Sequence, residues 1–297
     1  MRSYPPAWLA WAPALFVVLW STGFIGSRLG APHAEPLTFL SWRYGIAVVL
    51  LAGVALATRA PWPGSLALAG HSAVAGLLVH GAYLAGVVCA VSRGLPVATI
   101  ALIVGLQPVL TALAAGPLLG EKLSSRQWAG IALGFAGVTL VVASKGSAGG
   151  GDLAAHGWGL FALAGITAGT LYQKRHCGEV PLLSGGVIQY AVSGLVTVAA
   201  AAATETMQVR WTAEFAFALG WLVIVLSTGA IGLLFMLIRH GEASRVSSLF
   251  FLTPPVTAVM GFALFGERLA PLALAGLAVS AAGVALVTRA GARMARP

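Results

Sequence analysis

The chain of 297 residues is too apolar and too poorly charged to be a water-soluble protein, since 59% of its residues are hydrophobic and 8% are charged. A soluble domain carries roughly 25% charged residues, so this share cannot cover a water-facing surface. The 17 basic residues outnumber the 8 acidic residues, but they stand singly at the ends of apolar runs. This pattern is typical of cytoplasmic loops in a membrane protein and argues against a nucleic-acid-binding protein.

Ten apolar runs follow one another along the chain, each close to the ~20 residues that a membrane-spanning helix needs. Helices are expected because the bilayer offers no partner to backbone N–H and C=O groups, and the runs lack the alternating pattern of a β-barrel. We predict an all-α membrane protein whose ten transmembrane helices cover 9–29, 36–57, 69–91, 96–118, 126–144, 156–175, 181–203, 214–238, 245–265 and 270–289.

The loops between these runs predict the orientation of the chain. With a cytoplasmic N-terminus, the loops on the cytoplasmic side hold eleven Lys and Arg residues, and those on the other side hold five. Cytoplasmic loops carry the excess of basic residues, so both termini are expected in the cytoplasm. The chain is thus predicted to be a multi-pass protein of the inner (plasma) membrane.

An internal repeat appears when the sequence is shifted by 146 residues. Leu118-Leu-Gly-Glu-Lys-Leu123 then meets Leu264-Phe-Gly-Glu-Arg-Leu269. Residues 1–146 and 147–297 are therefore predicted to be two five-helix repeats. Because five is odd, the second repeat must enter the membrane from the opposite side. Such inverted repeats are common in secondary transporters.

Motifs in both halves carry a resemblance to a known family. They are Trp20-Ser-Thr-Gly-Phe24 in span 1, Arg43 in span 2, Pro108 in span 4, the two Gly-Glu-basic-Leu turns, and Ala-Gly-Val in spans 5 and 10. Together they resemble the EamA-type family of the drug/metabolite transporter superfamily. The resemblance implies a ten-helix carrier with a central cavity lined by spans 1, 3, 4, 6, 8 and 9, in a family that often exports amino acids or other metabolites. The second half lacks the Trp-Ser-Thr motif and has Gln189 at the position of Arg43, so the halves are not equivalent.

Polar and aromatic side chains inside the spans are the candidate substrate-binding residues, since polar groups in lipid-buried helices are costly and usually face a cavity. His80 lies near the middle of span 3, and Tyr83 follows one helical turn later on the same face. The alternative role for His80 is a hydrogen bond to a neighbouring helix. The apolar, aromatic surroundings predict a solute with an apolar part. The candidates are Trp20, His80, Tyr83, Gln107, Thr167, Thr228 and Thr253.

Proline residues predict kinks in spans 4 and 9. Pro108 lies in span 4, and Pro254 and Pro255 lie in span 9. Proline lacks the backbone N–H and clashes with the preceding turn, so carbonyl groups are freed at membrane depth. These are tolerated where they line a polar cavity. Gln107 and Thr253, directly before the prolines, are therefore placed at the border of the site.

Arg43 is the only arginine well inside a predicted span, and an isolated charge at membrane depth is costly. It is near enough to the outer face for its side chain to snorkel toward water. We predict a pair between Arg43 and Glu267, which lies in the turn between spans 9 and 10. The symmetric pair would be Gln189 with Glu121. Such pairs would act as a gate or as a structural latch.

The predicted function is secondary transport of small metabolites, such as amino acids or drug-like solutes, by alternating access, with export favoured. A non-transporting scaffold or receptor is the alternative, although it does not explain the inverted repeat. An intramembrane enzyme is a weaker one, because the motifs HExxH and GxSxG are absent from the sequence. The sequence does not distinguish uptake from export. It also does not distinguish proton-coupled transport from exchange or uniport.

The sequence predicts no cofactor and no metal site, since Cys89 and Cys177 form no CxxC motif and no nucleotide-binding loop occurs. The expected partners are a small-molecule solute and the lipid bilayer. The chain is expected to bind no nucleic acid and to be a monomer or a homodimer.

Overall fold

The computed structural model describes residues 11–95, 100, 103–144, 152–265 and 271–294, and these residues are mostly helical. The predicted all-α class is confirmed. The helices are α1 (Ala12–Gly30), α2 (Pro36–Ala57), α3 (Leu66–Ser92), α4 (Gln107–Leu119), α5 (Ser125–Ser144), α6 (Leu153–His176), α7 (Leu182–Thr204), α8 (Ala213–His240), α9 (Ala243–Ser248, continued by the 3₁₀ turn Leu249–Leu252 and by Thr253–Phe265) and α10 (Pro271–Met294).

Five helices of the described chain are long and apolar enough to cross a membrane: α2, α3, α7, α8 and α9. Shorter apolar stretches lie in α1, α4 and α10, over Ala12–Ser27, Gln107–Leu119 and Leu274–Val287. By length and composition, the structure thus supports five of the ten predicted spans.

Three of the long helices change geometry within their length. Helix α3 is π-helical over Leu77–Leu84, and α8 is π-helical over Leu222–Ala230. Helix α9 passes through its 3₁₀ turn directly before Thr253. The predicted proline kinks are in fact starts of α-helix, because Pro108 lies in the first turn of α4 and Thr253-Pro-Pro opens the last part of α9. A first turn tolerates proline, since its N–H groups have no intrahelical partner.

The bundle has two ends, each named here after a glutamate. At the Glu205 end, the Glu205 carboxylate accepts hydrogen bonds from the backbone N–H groups of Leu37 and Thr38 at the start of α2 (2.8 and 2.7 Å). At the Glu121 end, Glu121 accepts from the N–H of Ala243 at the start of α9 (2.7 Å). Because Glu205 directly follows α7, the end of α7 lies beside the start of α2. These repeat mates therefore run antiparallel, as an inverted repeat requires.

Small residues pack α5 against its repeat mate α10. A Cβ atom added at Gly130 would lie 2.7 Å from the carbonyl oxygen of Gly283, and one added at Gly137 would overlap the backbone nitrogen of Ser280. Only a residue without a side chain fits where two helix backbones approach this closely. The small residues of spans 5 and 10 thus pack two helices of one chain.

Replacing Gly137 by Val is expected to destabilise the protein by about 2 kcal/mol or more, because the added atoms must push α5 away from α10. Gly53→Val is the matched control, since nothing lies within 4 Å of a Cβ added at Gly53. Melting of both variants in detergent measures the difference. Equal melting temperatures would show that the close approach does not limit stability.

Candidate functional site

The π-helical segments of α3 and α8 occupy equivalent positions in the two repeats, and each accepts a hydrogen bond from a tyrosine at the centre of the bundle. The Tyr44 hydroxyl donates to the backbone carbonyl of His80, and the Tyr190 hydroxyl donates to the carbonyl of Ser227, both at 3.0 Å. Tyr44 and Tyr190 are repeat mates, and their ring centroids are 5.6 Å apart. A residue touches its own mate only near the axis that relates the repeats, so this axis passes between the two tyrosines. π-Helical segments recur at functional sites.

His80 is fully buried beside this axis. Its imidazole stacks on the ring of Tyr190, with 4.2 Å between the centroids and an angle of 22°. Neither ring nitrogen has a hydrogen-bond partner among the described residues. Buried polar groups are nearly always hydrogen-bonded, and an unpaired one is costly. The imidazole does interact with the side chain of Gln189 on α7, so its alternative role, a hydrogen bond to a neighbouring helix, stays open.

An aromatic cavity lies one turn of α3 beyond His80, at Tyr83. Trp20 of α1 and Tyr83 of α3 are stacked with 6.4 Å between their centroids, and Phe250 meets Trp20 edge-on at 5.1 Å. The cavity has a volume of about 40 Å³. A pocket for a small molecule usually has ~300–1,000 Å³, so this cavity must widen to admit a solute. It is lined by Trp20, Tyr83, Val87, Ile100, Val104, Gly105, Phe250, Thr253 and Pro254.

Polar side chains of α4, α6 and α9 extend the same region. The Gln107 side-chain nitrogen donates to the Ser247 hydroxyl (3.0 Å) and lies 3.4 Å from that of Thr170. The Gln107 carbonyl oxygen and the hydroxyls of Thr167 and Thr253 are buried, and they have no partner within the described ranges. These atoms can bind a polar solute. Five residues are called the central site below: Trp20, His80, Tyr83, Gln107 and Thr253.

Two predicted site residues, Thr228 and Thr167, are not counted in the central site. Thr228 donates to the backbone carbonyl of Val223 in its own helix (3.1 Å), which satisfies its hydroxyl inside the π-helical segment. Thr167 is buried on α6 and, like His80 and Gln107, does not line the aromatic cavity; its hydroxyl has no partner in the described chain.

Arg43 is buried, and its Nε donates to the hydroxyl of Ser227 on α8 (2.9 Å). Glu267, its predicted partner, lies outside the described residues, so that pair stays a prediction. The contact with Ser227 instead connects α2 to the π-helical segment of α8.

The predicted pair of Gln189 and Glu121 is wrong. Gln189 lies about two turns inside α7, and its side-chain nitrogen donates to the side-chain oxygen of Gln173 on α6 (3.3 Å). Glu121 lies at the end of the bundle and accepts from the backbone N–H groups of Ala243 and Ser244 (2.7 and 3.3 Å) and from the Ser244 hydroxyl (2.7 Å). The first N–H groups of a helix have no intrahelical partner, so a nearby carboxylate binds them.

A wide depression of about 620 Å³ opens at the Glu121 end. There the Lys174 ammonium group donates to the Gly241 carbonyl (2.6 Å) and thereby ties α6 to the loop between α8 and α9. Glu121 ties the end of α4 to the start of α9 just beyond it. Ala243, which Glu121 binds, begins α9, and Ser247 one turn further into α9 contacts Gln107 of the central site. The Glu121 and Lys174 contacts therefore lie between the depression and the central site. The depression is lined by Leu118, Leu119, Glu121, Lys174, Arg175, His240, Gly241 and Glu242.

Sequence reasoning missed Tyr44, Tyr190 and Ser227 as members of the centre. The signal for the tyrosines was present, because the shift of 146 residues pairs them. Ser227 has no such signal: its role comes from the π-helical segment, which brings its hydroxyl to Arg43 and its carbonyl to Tyr190.

Comparisons with known proteins agree with this architecture. The "Uncharacterized inner membrane transporter YedA" of Escherichia coli (strain K12) is 28% identical over 279 residues, which cover 93% of this chain and 88% of the relative. The "Probable terminal-alkyne amino-acid exporter" of Streptantibioticus cattleyicolor is 28% identical over 291 residues, which cover 94% of this chain and 93% of the relative. A solved crystal structure, 19% identical, shares the fold with a TM-score of 0.78 over 97% of this chain and 98% of its own.

The family comparison recovers the internal repeat. The model of the EamA-like transporter family matches residues 7–143 and again residues 153–289. The two matches cover most of the chain and fall one in each half. The resemblance inferred from the sequence motifs is thereby confirmed, and the chain belongs to the EamA-like transporter family.

Proposed function

We propose that this chain is a secondary transporter that exports small metabolites with an apolar part, such as amino acids, by alternating access. Its family supports transport, and the name of the amino-acid exporter among its relatives supports export. One observation carries the proposal: buried polar atoms of His80, Gln107 and Thr253 lack partners among the described residues, beside an aromatic cavity at the centre of an inverted repeat. Such atoms are suited to binding a solute.

The proposed architecture has ten spans in the inner membrane, with residues 1–146 and 147–297 as the two repeats and both termini in the cytoplasm. The Glu121 end then faces the cytoplasm. The antiparallel course of α2 and α7 supports the inversion, and the five long apolar helices support half of the spans. The central site is built from one chain, so a monomer suffices for transport, and no catalytic step is required.

The proposed cycle exposes the central site to one side of the membrane at a time. In the described arrangement the cavity is too small for an amino acid, and Glu121 and Lys174 tie the cytoplasmic end together. Parting these ties would let a cytoplasmic solute reach Gln107 and Trp20. The helix starts at Gln107 in α4 and Thr253 in α9 are the natural places for the two helices to bend, because the regular α-helix begins there after a turn in α4 and a 3₁₀ turn in α9.

Each part of the central site has a proposed task. The rings of Trp20, Tyr83 and Phe250 hold the apolar part of the solute, since aromatic groups bury a large area in a defined geometry. His80 and Gln107 bind its polar groups through the unpartnered atoms. Sites of this kind are mostly apolar, with few well-placed polar groups.

Flux into proteoliposomes tests the proposal. Purified protein is reconstituted and offered a panel of labelled amino acids and drug-like cations at two pH gradients, with protein-free liposomes as the control. We expect flux of at least one amino acid with an apolar side chain well above that of the control. Cells that overproduce the protein should tolerate more of the same solute, as export requires. Absence of flux for the whole panel would contradict the proposed function and favour a scaffold.

A further inference from the structure

We propose that Arg43 anchors a carboxylate group of the transported solute, an inference that rests on the proposed function. Arg43 belongs to α2, and the residue is only 7% exposed. Its Nε donates to the Ser227 hydroxyl (2.9 Å), and the carbonyl of Ser227 accepts the Tyr190 hydroxyl. A guanidinium cation is thereby held beside the repeat axis.

The Arg43 guanidinium is bound at the middle of α8, by Ser227, and not at the start of either helix. Arg43 lies seven residues beyond Pro36, the first residue of α2, which places its backbone about 10 Å below the Glu205 end. Ser227 lies fourteen residues beyond Ala213, the first residue of α8, about 20 Å below the same end. The guanidinium is therefore deeper than its own backbone. Snorkelling would carry the guanidinium toward water at the Glu205 end, so it does not explain why Arg43 binds Ser227.

No acidic residue of the described chain neutralises Arg43. The ion pairs recorded in that part lie at the two ends of the bundle. The Nε bond to Ser227 is the hydrogen bond that the guanidinium makes there, which leaves the two Nη groups free of described partners. A buried charge without a partner is costly, so a counter-charge that arrives with the solute would be bound strongly.

The chemistry of the free groups favours a carboxylate. A guanidinium is planar and presents paired N–H donors that match the two oxygens of a carboxylate. Arg43 lies within electrostatic range of His80 and Tyr83, and Tyr83 lines the aromatic cavity together with Trp20. A solute with a carboxylate at one end and an apolar group at the other would contact both Arg43 and the rings.

The same region offers no counter-charge for an ammonium group. The Asp and Glu residues of the described chain all lie in loops or at helix ends, away from the central site. The unpartnered acceptors there, such as the side-chain oxygens of Gln107, Gln189 and Thr253, carry no charge. We therefore expect the carboxylate to determine binding and the α-amino group to contribute little.

Binding by calorimetry to the purified protein in detergent tests this inference with three probes: L-phenylalanine, 3-phenylpropionate, which lacks the amino group, and L-phenylalaninamide, which lacks the carboxylate. The wild type should bind the two carboxylates with similar affinity and the amide at least about tenfold more weakly. Arg43→Gln should lower the affinity for both carboxylates to that of the amide and leave amide binding unchanged. Arg43→Lys should fall between, because it keeps the charge and loses the paired donors.

The controls separate recognition from structure. Arg93→Gln removes an exposed charge at the Glu205 end and should leave all three affinities unchanged. An equal loss for all three probes in Arg43→Gln, or no loss, would overturn the inference. So would Glu267→Gln reproducing the Arg43→Gln change, because Glu267 would then be the counter-charge. A wild type that binds none of the probes also overturns it, while the flux panel judges transport separately.

Discussion

Replacing His80 by Phe is expected to lower transport at least about tenfold while the protein still folds. His80 stacks on Tyr190 at 4.2 Å, and a phenyl ring can keep that contact. Phenylalanine lacks the two ring nitrogens, which are buried and have no hydrogen-bond partner in the described chain. If those nitrogens bind the solute, their loss removes a polar contact in a buried site, where such contacts count most.

The His80 variants are designed to separate packing from recognition. His80→Gln restores a donor and an acceptor without the ring, so partial transport is expected. His156→Phe is the matched control, since His156 lies near the start of α6 and contacts the backbone of Asp152. Abundance and melting temperature are measured beside flux. Normal flux in His80→Phe at normal abundance would show that His80 serves packing alone, and the central site would have to be reassigned.

The position of His80 was predictable because a polar side chain in an apolar run has few structural reasons to be there. Its surroundings were not. The stacking of His80 on Tyr190 depends on how the two repeats pack together. The sequence around each of the two residues does not predict that packing. The π-helical segments were missed for the same reason: the residues Leu77–Leu84 are as apolar as any other stretch of α3. Tertiary contacts decide where a helix widens.

The internal repeat led to one prediction that the structure supports, the inversion of the two halves, and to one wrong prediction, the partner of Glu121. The Gly-Glu-basic-Leu turns revealed the two halves, and the antiparallel course of α2 and α7 agrees with their inversion. The same symmetry led to the wrong partner for Glu121. A carboxylate at the end of α4 meets the free N–H groups of α9, and Gln189 is too far inside α7 to compete. Which helix start lies opposite a turn follows from packing alone.

Replacing Glu121 by Ala is expected to open the Glu121 end and to lower transport several-fold. Glu121 accepts bonds from the N–H groups of Ala243 and Ser244 and from the Ser244 hydroxyl. Loss of a helix cap costs ~0.5–2 kcal/mol, which corresponds to a shift of about two- to thirtyfold in a two-state equilibrium, with tenfold near the middle of that range. In the proposed cycle this contact exists only while the end is closed, so its loss favours the open state and slows each return.

Thiol labelling in inside-out vesicles measures this shift. Ser247→Cys places a thiol beside Gln107, behind the Glu121 contact, in a chain whose Cys89 and Cys177 are replaced by Ala. The pKa of Cys177 is raised to about 11 by burial, so that thiol is a weak nucleophile even before replacement.

A membrane-impermeant thiosulfonate should label the new cysteine about tenfold faster in the Glu121→Ala background than with Glu121 present, because the rate follows the open population. Glu179→Ala is the control, since Glu179 is an exposed carboxylate in a loop at the same end. It should leave the labelling rate unchanged. Equal rates with and without Glu121 would mean that the contact does not hold this end closed, and closure would then rest on the Lys174 contact with Gly241, which Lys174→Met tests in the same assay.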